Sequence, residues 1–172
     1  MLDFENDTID INNLPKMESI IFTKLHVDYW KIILVNFCIL STIIFVAIST
    51  MIFIKYEILA PFIYYIFFFI LIILFLIFIS NRIGFLKKKY AFRAHDVVFV
   101  SGIIATHTMV IPYNRVQHIA LHEGFLSRYF GLASIEIFTA GGDNSDITIP
   151  GIEKQQAENI KQLLMNKIKT ID

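Results

Sequence analysis

Two long uncharged stretches interrupt an otherwise mixed pattern of polar and apolar positions. From Ile32 to Ile54 there is no charged residue in 23 positions, and from Ile58 to Asn81 none in 24. Only Lys55, Tyr56 and Glu57 separate them. Each run exceeds the roughly 20 apolar residues that cross a hydrocarbon core about 30 Å thick. The 15 Ile, Leu, Val and Phe residues of the first run favour insertion by about 5 to 9 kcal/mol before polar costs. The pattern predicts two transmembrane helices, 32–54 and 58–81, joined as an antiparallel hairpin. Pro61 falls where the first turn of the second helix is expected. Asn36, Ser41, Thr42, Ser49 and Thr50 are expected to hydrogen-bond across the pair.

After Lys89 the pattern changes to short alternating runs. Strands are predicted at Tyr90 to Ala94 and Val97 to Val100, followed by a tight turn at Ser101-Gly102 into a strand from Ile103 to Ile111. Pro112-Tyr113-Asn114 signals a turn. Val116 to His122 reads as a strand with Val116, His118, Ala120 and His122 on one face and Gln117, Ile119 and Leu121 on the other. Gly124 to Gly131 is a break, and Ser134 to Thr139 alternates again. Ala140 to Asn144 is a loop, and Asp146 to Ile149 is a strand closed by Pro150-Gly151. Ala157, Ile160, Leu164, Ile168 and Ile171 recur at helical spacing, with Leu163 widening the stripe. The fold class is thus a transmembrane hairpin followed by an α+β domain: a bent antiparallel sheet of six or seven strands closed by a C-terminal helix.

Composition agrees with a membrane chain. Apolar residues make up 56% of the 172 positions, and the mean hydropathy is +0.63. A soluble domain of this size would have too little sequence left to cover both helices. A cleaved signal peptide is excluded because the first run starts some 30 residues in and is too long for an h-region. The organisation expected is a disordered acidic tail at 1–15, a juxtamembrane segment at 16–31, the hairpin at 32–81 and the domain at 82–172. Lys16, Lys24 and Lys31 precede the first span, and Arg82, Lys87, Lys88, Lys89 and Arg93 follow the second. The connecting turn has Lys55 alone. That asymmetry places both termini in the cytoplasm and the protein in the inner (cytoplasmic) membrane. Cys38 is the only cysteine, so one chain can form no disulfide.

Several segments together resemble a known family. They are Arg115 to Ile119, Glu123 to Ala133, Ile137 to Gly142 and Ile147 to Ile152. In that order they are similar to the bacterial pleckstrin-homology (PH) membrane proteins of the YdbS type. The resemblance runs from Tyr90 to about Lys169. It implies a PH-like fold and a non-enzymatic, membrane-anchored interaction role, often beside a larger relative with several such domains.

Little else in the chain points to chemistry. Lys87, Lys88, Lys89 and Arg93 are candidate lipid-binding residues, each worth about 1 kcal/mol beside anionic headgroups. They also serve as a topology signal. Phe125, Leu126, Arg128, Tyr129 and Phe130 are bulky for a break. They either plug the open end of the sheet or form a partner-binding patch. His118 and His122 would stand about 13 Å apart along a strand, too far to share a metal ion. Ser127, Ser134 and Ser145 lie in no nucleophile-elbow context, and Gly141-Gly142 is too short to cradle a phosphate. No catalytic residue, metal, cofactor or nucleic-acid partner is expected. The expected partners are the lipid bilayer, a second copy of the chain, or a related PH-domain membrane protein.

Overall fold

The computed structural model describes residues 19–141 and 145–169. The acidic tail, Gly142 to Asn144 of the predicted loop, Ile171 and the side chain of Ile168 lie outside the described residues. The chain enters through a two-residue strand, β1 (Thr23–Lys24), and climbs α1 (Val27–Ile54). A one-turn helix, α2 (Tyr56–Leu59), and a 3-10 turn (Ala60–Phe62) reverse it into α3 (Ile63–Lys87). Pro61 sits in that 3-10 turn, so the long helix starts later than its apolar run. At 28 and 25 residues the helices measure about 42 and 38 Å, longer than a hydrocarbon core is thick.

The domain continues as β2 (Lys89–Phe92), β3 (Asp96–Ser101), β4 (His107–Pro112), β5 (Val116–His122), α4 (Phe125–Tyr129), β6 (Leu132–Thr139), β7 (Ile147–Glu153) and α5 (Lys154–Lys169). All pairings are antiparallel. The seven strands divide into a four-stranded sheet, β1-β2-β3-β4, and a three-stranded sheet, β5-β6-β7. Helix α5 covers the second sheet. Val97, Ile135, Ile137, Ile149, Ile152, Ala157 and Leu164 form the centre of the shared core. Tyr29 of α1 and Phe85 of α3 pack against the same cluster, so the base of the hairpin is continuous with the domain interior.

Four expectations are corrected. The predicted strand from Ile103 begins only at His107, because residues 103–106 fold back as a loop towards α3. The predicted faces of β5 are re-sorted by an extra residue between Val116 and His118. That bulge brings Val116 into phase with Ile119 and Leu121 on the core side and leaves His118 and His122 exposed. A second irregularity, between Ala133 and Ile135, lets β7 run on through Pro150-Gly151, beyond the end its pattern predicts, and Ile152 joins the core. Finally, the hydroxyls of Ser41, Thr42 and Thr50 do not bridge the helices. Each donates to the carbonyl four residues earlier, at 2.6, 2.8 and 2.8 Å.

The predicted turn after β4 is a 3-10 turn (Tyr113–Arg115). Tyr113 is buried there, and its hydroxyl donates to the Arg93 carbonyl at 2.6 Å. Burial raises the phenol pKa above its ordinary value of 10.0, with the Asp96 charge adding and Arg93 opposing. The neutral form is therefore the folded form. Its contribution is present below pH 10 or so and is lost as pH climbs through the raised value. Tyr113→Phe is expected to cost about 1 kcal/mol, read as a lower melting temperature in detergent. An unchanged melting temperature would mean that the bond contributes nothing net.

Candidate functional site

The most informative surface is where the hairpin meets the domain. Only Leu25 and His26 separate β1 from α1, and only Lys88 separates α3 from β2. Strands β1 and β2 are hydrogen-bonded neighbours, with Thr23 opposite Tyr90 and Lys24 opposite Lys89. The hairpin is thus an insertion between two adjacent strands of one sheet. A second contact reinforces the join. The His26 amide donates to the Gly151 carbonyl at 2.8 Å. Gly151, at φ +65°, lets β7 approach so closely that a Cβ there would lie 2.5 Å from Tyr29 Cγ.

An aromatic collar surrounds the helices just above this join. Trp30 packs on Phe78 and Phe85, with centroids at 5.9 and 5.7 Å. The Arg82 guanidinium lies 4.8 Å from the Trp30 ring. Trp and Arg at one level are the residue types that favour a membrane–water interface. Asn36 lies about 9 Å further along α1, inside the uncharged run. Its side chain is exposed on the helix surface, in line with Leu40, Ile43 and Ala47. Elsewhere along the hairpin, Cys38, Ser41 and Thr42 open a groove between α1 and α3 that is otherwise lined by Phe and aliphatic side chains.

The predicted lipid-binding residues separate. Lys87 Nζ donates to the Ile103 carbonyl at 2.7 Å, and Lys89 Nζ sits 4.1 Å from the Phe22 ring. Lys88 lines a cleft described below. Arg93 stands at the other end of β2, about 13 Å from Lys89, and pairs with Asp96 through both carboxylate oxygens. The Asp96 pairing holds the Arg93 pKa above its ordinary value. Arg93 is therefore not brought together with the three lysines.

The aromatic residues of α4 also divide. Phe125 and Tyr129, four residues apart and on one face, are 90% and 82% exposed. Arg128 is exposed as well, whereas Leu126 and Phe130 are half-buried. Tyr129 meets Phe130 edge-on at 5.2 Å, and Lys31 of α1 reaches to 6.0 Å from the Phe130 ring. Helix α4 therefore lies against the base of α1, close to the collar.

A cleft of about 540 Å³ opens on the α3 side of the join. Tyr29 and Ile33 of α1, Ser80, Asn81 and Gly84 of α3, and Lys88, Ile104 and His107 are among its lining residues. The sequence pattern missed it. Ile103 and Ile104 read as the start of a strand, whereas the structure turns them out as a loop with Ile104 98% exposed.

Known proteins place this arrangement. The family model described as "bacterial PH domain" matches residues 31–168, which takes in both helices and nearly all of the domain. The chain belongs to the bacterial PH domain family. YdbS of Bacillus subtilis (strain 168), described as a UPF0699 transmembrane protein, is 26% identical over 96 residues. The alignment covers 56% of this chain and 58% of that protein. No solved structure matches the chain. The resemblance drawn from Arg115 to Ile152 is thus borne out, and in this bacterial PH domain protein both long helices are long and apolar enough to cross a membrane.

Proposed function

We propose that this bacterial PH domain protein is a membrane-anchored, non-enzymatic interaction module that assembles, through α1, with a second copy of itself or with a related PH-domain membrane protein. The observation that carries the reading is Asn36. Its side chain is exposed on the surface of α1, within the uncharged run and about 9 Å along the helix from Trp30. Hydrocarbon offers no hydrogen-bond partner, so a polar group there is costly until another helix supplies one. A carboxamide both donates and accepts. Two Asn36 side chains facing each other across a two-fold axis satisfy each other, as isologous contact requires. Ala47, three turns along the same face, permits close approach. The groove beside Ser41 and Thr42 offers a further seat for a helix of the assembly.

The same reading puts the domain at the cytoplasmic face of the inner membrane. Lys31, Arg82, Lys87, Lys88 and Lys89 flank the spans on the domain side, against Lys55 at the turn. Short loops with that bias stay inside.

The test is self-association of the full chain in liposomes, followed by energy transfer between labelled copies as protein is diluted into lipid. Asn36→Leu is expected to weaken association about 3- to 30-fold, the range for one interhelical hydrogen bond of roughly 0.6 to 2 kcal/mol. Identical dilution curves for the two proteins would rule out Asn36 as the contact.

A further inference from the structure

The cleft beside α3 spans two environments. Ile33 and Ser80 at one end belong to the uncharged runs. Lys88 and His107 at the other lie at the foot of α3 and the start of β4. From Ser80 to Lys88 the chain advances about 12 Å, the distance from acyl chains to headgroups. No aspartate or glutamate lines the cleft, and among the described residues no carboxylate pairs with Lys88. Its volume of about 540 Å³ falls within the range of small-ligand sites. Its outer wall is the β3–β4 loop, tied down by the Lys87 bond to the Ile103 carbonyl. That loop presents Ile104 outward at 98% exposure. So apolar a wall is costly in water and matched to the lipid that begins at the level of Ser80.

We propose that this cleft seats one anionic glycerophospholipid of the adjacent leaflet, its phosphate at the Lys88 and His107 end and its chains leaving past Ile33 and Ile104. The site is centred on Lys88 and His107 rather than on Asn36, which lies one turn above Ile33 on the same face of α1. It differs from a diffuse basic surface in having walls. Lys87 and Lys89 have other contacts, and Lys88 is the lysine among the residues that line the cavity.

The experiment is native mass spectrometry of the full chain, equilibrated in detergent with equal amounts of phosphatidylglycerol and phosphatidylcholine carrying the same acyl chains. Wild type is expected to retain one phosphatidylglycerol per chain with at least a fivefold preference. The double variant Lys88→Gln/His107→Gln should bring that preference close to one. Ser80→Phe, which fills the cavity and leaves Lys88 and His107 in place, should lose the adduct. Lys55→Gln, at the far end of the hairpin, should leave it unchanged. Equal retention of the two lipids by wild type overturns the proposal. So does a preference kept by Ser80→Phe in a protein that melts at the wild-type temperature, since Lys88 would then act as open surface charge.

Discussion

Gly151→Val is expected to lower the stability of the protein by about 3 kcal/mol or more, through backbone strain in β7 together with a clash against α1. The native φ of +65° is strained for any L side chain and most of all for a β-branched one, at roughly 1 to 3 kcal/mol. The new Cβ would also lie 2.5 Å from Tyr29 Cγ and 2.7 Å from Tyr29 Cβ, well inside contact distance. Both atoms are close to the α1 backbone, so the helix or the strand must move, at a further cost of about 1 to 3 kcal/mol. Movement there also threatens the His26 bond to the Gly151 carbonyl. Gly131 separates the two contributions. Its φ is +67°, nearly the same, yet nothing lies within 4 Å of its missing Cβ. Gly131→Val should therefore show the backbone cost alone. Thermal unfolding in detergent should place Gly151→Val several degrees below Gly131→Val. Equal melting temperatures would mean that Tyr29 and Gly151 are not pressed together.

Leu164→Ala is the second large loss. The side chain is fully buried in the core shared with Ile135, Ile137 and Ala157, on the helix that covers the second sheet. Truncation leaves a cavity between α5 and β6, at a cost of about 2 to 5 kcal/mol. The neighbouring Leu163 is 44% exposed, and Leu163→Ala should cost about 1 kcal/mol or less. The pair reads the phase of the helix directly. Comparable losses would show that α5 is rotated about its axis from the orientation described.

What the sequence pattern revealed follows from how uniform each environment is. Lipid is apolar in every direction, so the spans appear as unbroken runs and no tertiary contact is needed to recognise them. The stripe Ala157, Ile160 and Leu164 was legible for the same reason, since one flat partner imposes one helical period. Strand β5 was legible in its facing from His118 to His122 but not at its start, because a single bulge between Val116 and His118 moves Val116 to the face of Ile119 and Leu121. The pair Thr23–Lys24 carries no strand signal of its own. It is a strand because Lys89 and Tyr90, more than 60 positions away, lie beside it. Ile103 and Ile104 misled for a physical reason. Apolar residues after a turn usually enter a core, whereas here they face the side from which the spans emerge. Gly151 gave no warning beyond a Pro-Gly pair, and Asn36 was visible in the sequence while its outward facing was not.

The hairpin's place between β1 and β2 also constrains how the protein is made. Strand β1 leaves the ribosome first, but its partner follows both spans, so the first sheet stays incomplete until the second helix has been threaded into the bilayer. A chain that inserted only one span would strand β1 on one side and β2 through β7 on the other. Its domain would then display the edge of β2 and lack Leu25 from its core, a lesion that proteases can recognise. Closure of the Thr23–Tyr90 pair thus requires that the chain before α1 and the chain after α3 lie on the same side of the bilayer.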